Sequence, residues 1–350
     1  MIVTRAPFRV TLAGGGTDLP SYYSKHGGFI YSMAITHYMY VMTNPPTVDR
    51  KIRIHYSKSE CVDNVSELEH ELAREALRYH GILDKIEISS MADLPSGTGL
   101  GSSSSYLVAL LMALHQYRRD YVSIAKLAEE ACDIELRILR KGIGKQDQYL
   151  AAFGGLTRLD IDRDGAVSVS QSDLSLTAIN ELVTSTHLYY TGLRRDAPDV
   201  LIDQNMAMLN PESVNSKDVE KNLNKIKDLG YRIYDAIISE DFDKWGQLTH
   251  EHWVLKKGLS KKISLSRVDL IYEEVREKFN VLGGKIVGAG GGGFLMLYCN
   301  RNHKKLESYM LSHGMPRLHY SIDPDGCKVL ASFASHRVFD DHFGPKGKFI

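Results

Sequence analysis

Cysteine is scarce and scattered in this chain. There are four in 350 residues, Cys61, Cys132, Cys299 and Cys327, with no C-x-x-C pair. That spacing argues against a zinc site and against a disulfide scaffold, and it suits a reducing, cytoplasmic setting. Long apolar runs are missing too. The longest, Leu107 to Leu114, is far short of the ~20 residues that span a bilayer. Met1 to Asp18 holds two arginines and no apolar stretch of a secretory leader, so no membrane partner is expected. Net charge is absent, with 43 Lys+Arg against 43 Asp+Glu. A nucleic-acid partner is therefore disfavoured, although a local basic pocket is not. The 14 histidines show no metal-ligand spacing and are expected to be mostly exposed. Internal repeats and low-complexity blocks are also lacking. What remains, 43% hydrophobic and 25% charged residues, is the composition of a globular protein of one large or two ordinary domains.

Periodicity and punctuation give the organisation. Residues 2–12 and 31–42 read as strands. Ser66-Glu67-Leu68-Glu69 reads as a capping box whose helix stops at Gly81. Residues 106–117 and 123–140 read as helices, the second with an apolar stripe of Leu127, Ala131, Ile134 and Ile138. Residues 156–169 form a hairpin pattern turning at Asp164-Gly165. The polar stretch 170–177 is the expected boundary between domains 1–175 and 176–350. The second series opens with a strand at 188–190. It continues through helical patterns at 222–238, 241–255 and 268–279, then strand, glycine loop and strand over 283–298. The tail from Asp340 is polar.

The most informative segment is Pro95-Ser96-Gly97-Thr98-Gly99-Leu100-Gly101-Ser102-Ser103-Ser104-Ser105-Tyr106. A strand-like run, Lys85 to Ser89, precedes it and an apolar helical run follows. Glycine lets amide N–H groups approach an anion with no Cβ in the way. A helix start adds unpaired donors and a partial positive charge. Serine hydroxyls can serve a phosphate or a hard cation. There is no lysine for a P-loop, and the G-x-G-x-G spacing is not the dinucleotide fingerprint. The bland alternative is a turn.

Three further segments carry chemistry: Ala6-Pro7-Phe8-Arg9-Val10-Thr11-Leu12-Ala13-Gly14-Gly15-Gly16-Thr17-Asp18, Glu135 through Gly144-Lys145-Gln146-Asp147-Gln148-Tyr149, and Gly288 to Phe294. Together with the glycine loop they resemble the GHMP kinases, and Arg5 to Tyr23, Tyr190 to Arg194 and Leu282 to Phe294 resemble the heptose 7-phosphate kinase branch of that family. The resemblance implies a two-domain α+β fold. Its N-terminal domain would be like ribosomal protein S5 domain 2, its C-terminal domain ferredoxin-like. It implies ATP and Mg²⁺ as cofactors, with Pro95 to Ser104 holding the triphosphate. Asp147 would be the catalytic aspartate with Arg9 beside it, and Ser103 and Glu135 the magnesium ligands. Glu135 stands one residue further from the aspartate than in mevalonate kinases. Gly15, Gly16, Thr17, Asp18, Lys145, Gly290 and Arg194 would face the substrate.

Galactokinases carry a Glu-His pair where this chain has Gly15-Gly16. That loss removes a charge and bulk that would oppose a phosphorylated sugar. Lys145, Arg194 and Arg195 are the cations placed to clamp a phosphate. The expected reaction is ATP-dependent phosphorylation of the anomeric hydroxyl of D-glycero-D-manno-heptose 7-phosphate to the 1,7-bisphosphate, feeding nucleotide-activated heptose for surface polysaccharide. The alternatives are a kinase of free fucose or galactose, or a catalytically silent binding protein. The chain is expected to be a monomer or homodimer. For single residues, Arg9 could instead pair with a surface carboxylate and Glu135 with an arginine. Asp147 could cap a helix, and Asp18 could close a turn.

Overall fold

A computed structural model describes residues 1–193, 197–210, 216–260 and 262–333. In chain order the strands are β1 (Ile2–Ala13), β2 (Gly28–Asn44), β3 (Ile52–His55), β4 (Ser59–Val62), β5 (Ile86–Ala92) and β6 (Leu156–Ile161). They continue with β7 (Val167–Gln171), β8 (Thr186–Tyr190), β9 (Val281–Ile286), β10 (Phe294–Cys299), β11 (Arg317–Leu318) and β12 (Lys328–Ser332). The helices are α1 (Pro20–His26), α2 (Glu71–Tyr79), α3 (Ser102–Arg118), α4 (Ile124–Cys132), α5 (Gln146–Phe153) and α6 (Leu176–Ser185). Then come α7 (Ala197–Leu209), α8 (Ser216–Ile238), α9 (Phe242–Lys257), α10 (Ser266–Phe279) and α11 (His303–Ser312).

Two sheets organise these elements. The first has eight strands in the order β12-β1-β2-β5-β3-β4, with β6 and β7 continuing from β2. Long β2 makes this possible: Gly28–Met33 pairs β6 and Met39–Asn44 pairs β5. The second sheet is β11-β8-β10-β9, antiparallel throughout. From Ala6 to Ala13, β1 is buried on both faces, because α3 and α5 pack against it from one half of the chain and α8 from the other. One apolar cluster joins the halves, bringing Phe8, Val10 and Phe29 together with Ile233, Trp245 and Met296. The division at 175/176 stays a proposal; β12, near the end of the chain, pairs with β1 across it.

Several boundaries differ from expectation for local reasons. Ser66 does not open α2. Its hydroxyl donates to Asn64 Oδ1 (2.8 Å), Asn64 caps a short 3₁₀ turn, and His70 Nδ1 caps α2 through Ala73 N. Gly81, at φ 66°, follows the helix end. Helix α3 starts at Ser102, so the serines form its first turn. Ser123 caps α4 by accepting from Lys126 N (3.2 Å), but the pattern then widens into a π-helical turn over Asp133–Ile138. The expectation of exposed histidines fails. Among the described residues His80, His115, His187 and His252 are buried and only His319 is exposed, because an imidazole packs its apolar ring edge well against other rings. No helix of the described residues is long and apolar enough to cross a membrane. Arg194, Arg195 and the tail from Asp340 lie outside the described residues.

Candidate active site

The starts of α3 and α5, the π-helical turn and strand β1 converge where the two halves meet. Gly97, Gly99 and Gly101 all have left-handed φ, 75°, 76° and 79°, a conformation that side-chain-bearing residues avoid. The last of them leads straight into α3. The loop lines a cleft of about 990 Å³ with Ser96, Gly97, Ser102, Ser103 and Ser104. Thr98 and Leu100 turn the other way. Thr98 Oγ1 bonds to the Pro95 carbonyl (3.1 Å) and the Leu100 side chain joins the apolar core; they shape the loop and do not line the cleft. The second glycine loop braces the first backbone to backbone. A Cβ on Gly293 would lie 2.1 Å from the Thr98 carbonyl oxygen, and one on Gly288 2.5 Å from that of Gly99. Gly290, expected to face the acceptor, lines the large cleft instead, because this bracing carries its loop over the glycine-loop side.

Arg9 comes from β1 and Asp147 from the first turn of α5. Arg9 Nε donates to Asp147 Oδ1 (2.7 Å), Nη2 to Oδ2 (2.9 Å) and Nη1 to the Gly99 carbonyl (2.5 Å). Asp147 therefore does not cap its own helix, and Arg9, 4% exposed, has no surface partner. A Cβ on Gly101 would lie 3.2 Å from the Asp147 carboxylate, so the glycine loop and the pair are in contact.

Glu135 sits on the π-helical turn, fully buried. Its carboxylate accepts from Ser104 Oγ (2.6 Å), Ser103 Oγ (3.3 Å) and Gln148 Nε2 (2.6 Å). No arginine or lysine forms an ion pair with it among the described residues, which removes the arginine-paired reading. Burial pushes its carboxyl above the usual range, against the Ser104 hydrogen bond. A lone buried carboxylate with two hydroxyls on the cleft wall is a hard-cation donor set, so the residues fit magnesium.

A smaller pocket of about 60 Å³ adjoins the cleft and shares Arg9, Ile143, Asp147 and Ala289 with it. Gly15, Gly16 and Asp18 line it. Asp18 accepts from Gln146 N (3.1 Å), satisfying the start of α5, and from Gly16 N (3.3 Å). Its turn-closing role is thus real, yet the carboxyl also faces the pocket. Burial, with the nearby Asp147 charge, pushes it up to about 6, opposed by the Gln146 amide. Gly144 is required here: a Cβ would lie 2.0 Å from Asp18 Oδ2.

Two expected substrate residues are elsewhere. The Thr17 hydroxyl lies 2.8 Å from the Gly14 and Phe29 carbonyls and accepts from Phe29 N. It therefore locks the loop. Lys145 Nζ turns away to Glu129 (3.3 Å) and the Gly165 carbonyl (2.7 Å), because its place just before α5 points it off the pocket. The pocket's other walls went unread: His252, Lys256 and Lys285. A lysine inside the apolar strand pattern 281–287 and a His–Lys pair four apart were the available signals.

The family model "GHMP kinases N terminal domain" matches residues 54–155, which hold the glycine loop, Glu135 and Asp147. "GHMP kinases C terminal" matches residues 233–313. The chain belongs to the GHMP kinase family. As a GHMP kinase its fold is the two-domain α+β fold of that family. It is 27% identical over 321 residues to a D-glycero-alpha-D-manno-heptose 7-phosphate kinase of Campylobacter jejuni, covering 87% of this chain and 91% of that protein. It is 24% identical to a galactokinase of Pyrococcus furiosus over 94% of this chain and 99% of that one. Among solved structures, a D-glycero-D-manno-heptose 1-phosphate kinase from Bacteroides thetaiotaomicron superposes with a TM-score of 0.77 at 22% identity, covering 95% of this chain and 100% of that one.

Proposed function

We propose that this GHMP kinase transfers the γ-phosphoryl group of ATP to the anomeric hydroxyl of D-glycero-D-manno-heptose 7-phosphate, giving the 1,7-bisphosphate for nucleotide-activated heptose and surface polysaccharide synthesis. The observation that carries the reading is the two-pronged Arg9–Asp147 pair at the junction of a glycine-loop cleft and a smaller pocket lined by Gly15 and Gly16. Phosphoryl transfer needs positioning and charge neutralisation more than covalent catalysis. The loop amides and the α3 N-terminus hold the triphosphate. Ser103, Ser104 and Glu135 would hold magnesium, which when bound neutralises charge between the phosphates. Asp147 orients the acceptor hydroxyl and takes its proton as the oxygen bonds to the γ-phosphorus and the bond to ADP breaks. Arg9 keeps the carboxylate aimed and stabilises charge on the transferred group.

The similarity to a heptose 7-phosphate kinase supports the substrate. The turning of Lys145 to Glu129 favours a second reading, a kinase of a free sugar, since it removes one expected phosphate clamp. A coupled ADP assay decides between them. The kcat/KM for heptose 7-phosphate should exceed those for free heptose, galactose and fucose by 10²-fold or more, as expected for ~2 charge-assisted hydrogen bonds. Equal or faster turnover of a free sugar moves the protein to the second reading, and no turnover of any sugar to the silent one.

A further inference from the structure

The inner wall of the smaller pocket carries three basic groups with no partner of opposite charge. His252 and Lys256 lie one turn apart on α9, and Lys285 lies on β9. Their relative exposures are 1%, 7% and 2%. Lys256 Nζ donates only to the carbonyls of Ile286 (2.9 Å) and Gly288 (2.5 Å), and Lys285 Nζ to that of Leu12 (2.7 Å). Neither ring nitrogen of His252 has a partner. The charges acting on the two lysines are positive: Arg9 on both and Lys256 on Lys285. Arg9 is matched by Asp147, whereas no described carboxylate forms an ion pair with either lysine. Burial first, then this mutual repulsion, pulls Lys256 down to about 7 and Lys285 well below its usual range.

Buried cations without partners are costly. All three side chains line one small pocket. An anion in the pocket favours the ammonium form, which has three N–H groups, and a neutral imidazole has one, so against an anion Lys256 offers one free N–H, Lys285 two and His252 one. A tetrahedral anion with several terminal oxygens fits that set. A neutral sugar hydroxyl would leave the charge unmatched.

We propose that His252, Lys256 and Lys285 form a phosphate-binding subsite at the inner end of the acceptor pocket, and that it receives the acceptor's own phosphate. The second clause rests on the substrate reading above. The competing source of the same chemistry is the phosphoryl group in transfer, because Arg9 and Asp147 line the same pocket.

The test is calorimetric titration of the full chain with inorganic phosphate, in the presence of magnesium and a saturating non-hydrolysable ATP analogue that fills the glycine-loop cleft. One phosphate should bind. Lys256→Met and Lys285→Met should each weaken it ~10-fold or more, the loss of one charge-assisted hydrogen bond. Methionine keeps the length of the side chain and removes an amine buried without an opposite charge, so each variant's Tm should equal or exceed that of the parent. Should a methionine variant not fold, the glutamine variant at the same position reads the same titration. No phosphate binding by the parent, or unchanged binding by the variants, overturns the subsite. The sugar assay fixes the source. A rise in KM confined to heptose 7-phosphate supports the acceptor's phosphate. An equal loss of kcat on phosphorylated and free sugars overturns it in favour of the group in transfer. If phosphate binding behaves as expected but heptose 7-phosphate is not turned over, the substrate reading falls and the subsite stands.

Discussion

Asp147 and Arg9 are 138 residues apart in sequence, yet they share two hydrogen bonds. Replacing Asp147 by asparagine keeps the shape and removes the proton acceptor. The expected loss in kcat is ~10²–10⁴-fold, with nucleotide affinity retained, as read by a coupled ADP assay beside a nucleotide titration. Glu135→Gln should raise the magnesium concentration needed for half-maximal rate and leave Tm unchanged or higher, since burial already disfavours the charge. Asp18 makes a pH prediction. Its folded-state value of about 6 lies above the ordinary 3.8. The folded form therefore binds the proton more tightly, and the ionised carboxylate costs stability above pH 6 but not below pH 3.8. At about 1.4 kcal/mol per tenfold in proton affinity, that cost is on the order of 3 kcal/mol. The stability of Asp18→Asn relative to the parent should improve by up to that amount between pH 4 and pH 7, measured by denaturant unfolding at both pH values. A flat difference would mean that Asp18 stays ionised throughout. The identities of Arg9, Asp18, Asp147 and Glu135 as site candidates were legible from local motifs. Lys145 was misread because adjacency to Asp147 in sequence says nothing about direction once α5 begins. Lys256 and Lys285 left only a weak trace, a His–Lys pair four apart and a lysine in an apolar strand, because the carbonyls that hold them come from parts of the chain far off in sequence.

At the scale of elements, the π-helical turn over Asp133–Ile138 carries Glu135 and brings its carboxylate to Ser103 and Ser104. No propensity argument could place it, since the Leu127–Ile138 stripe reads equally well as continuous α-helix. The paired glycine loops are a second such element. Gly293 has φ 81°, and a Cβ there would lie 2.1 Å from the Thr98 carbonyl oxygen. Neither backbone can yield without distorting the glycine loop over residues 97–101. Gly293→Ala should cost roughly 1–3 kcal/mol or more and raise KM for ATP more than KM for the sugar. Thermal unfolding and steady-state kinetics on the same sample would check both.

At the scale of the molecule, the strand–helix series was largely legible because long, strongly periodic segments such as 222–238 and 268–279 declare themselves. The sheet order was not, because it depends on pairings such as β12 with β1 that link the two ends of the chain. A chain stopped at residue 327 would lose β12 and bare one edge of β1. It should have a lower Tm and a greater tendency to aggregate, measured by thermal unfolding with light scattering. That pairing also sets a clock. Ile2 meets Ser332, so β1 waits for a partner that emerges on the order of tens of seconds after it, at ~5–20 residues per second. Until then a largely apolar strand has one side open beside the exit of the ribosome. The β1–β12 pairing is a contact of very large sequence separation, the kind that slows folding most.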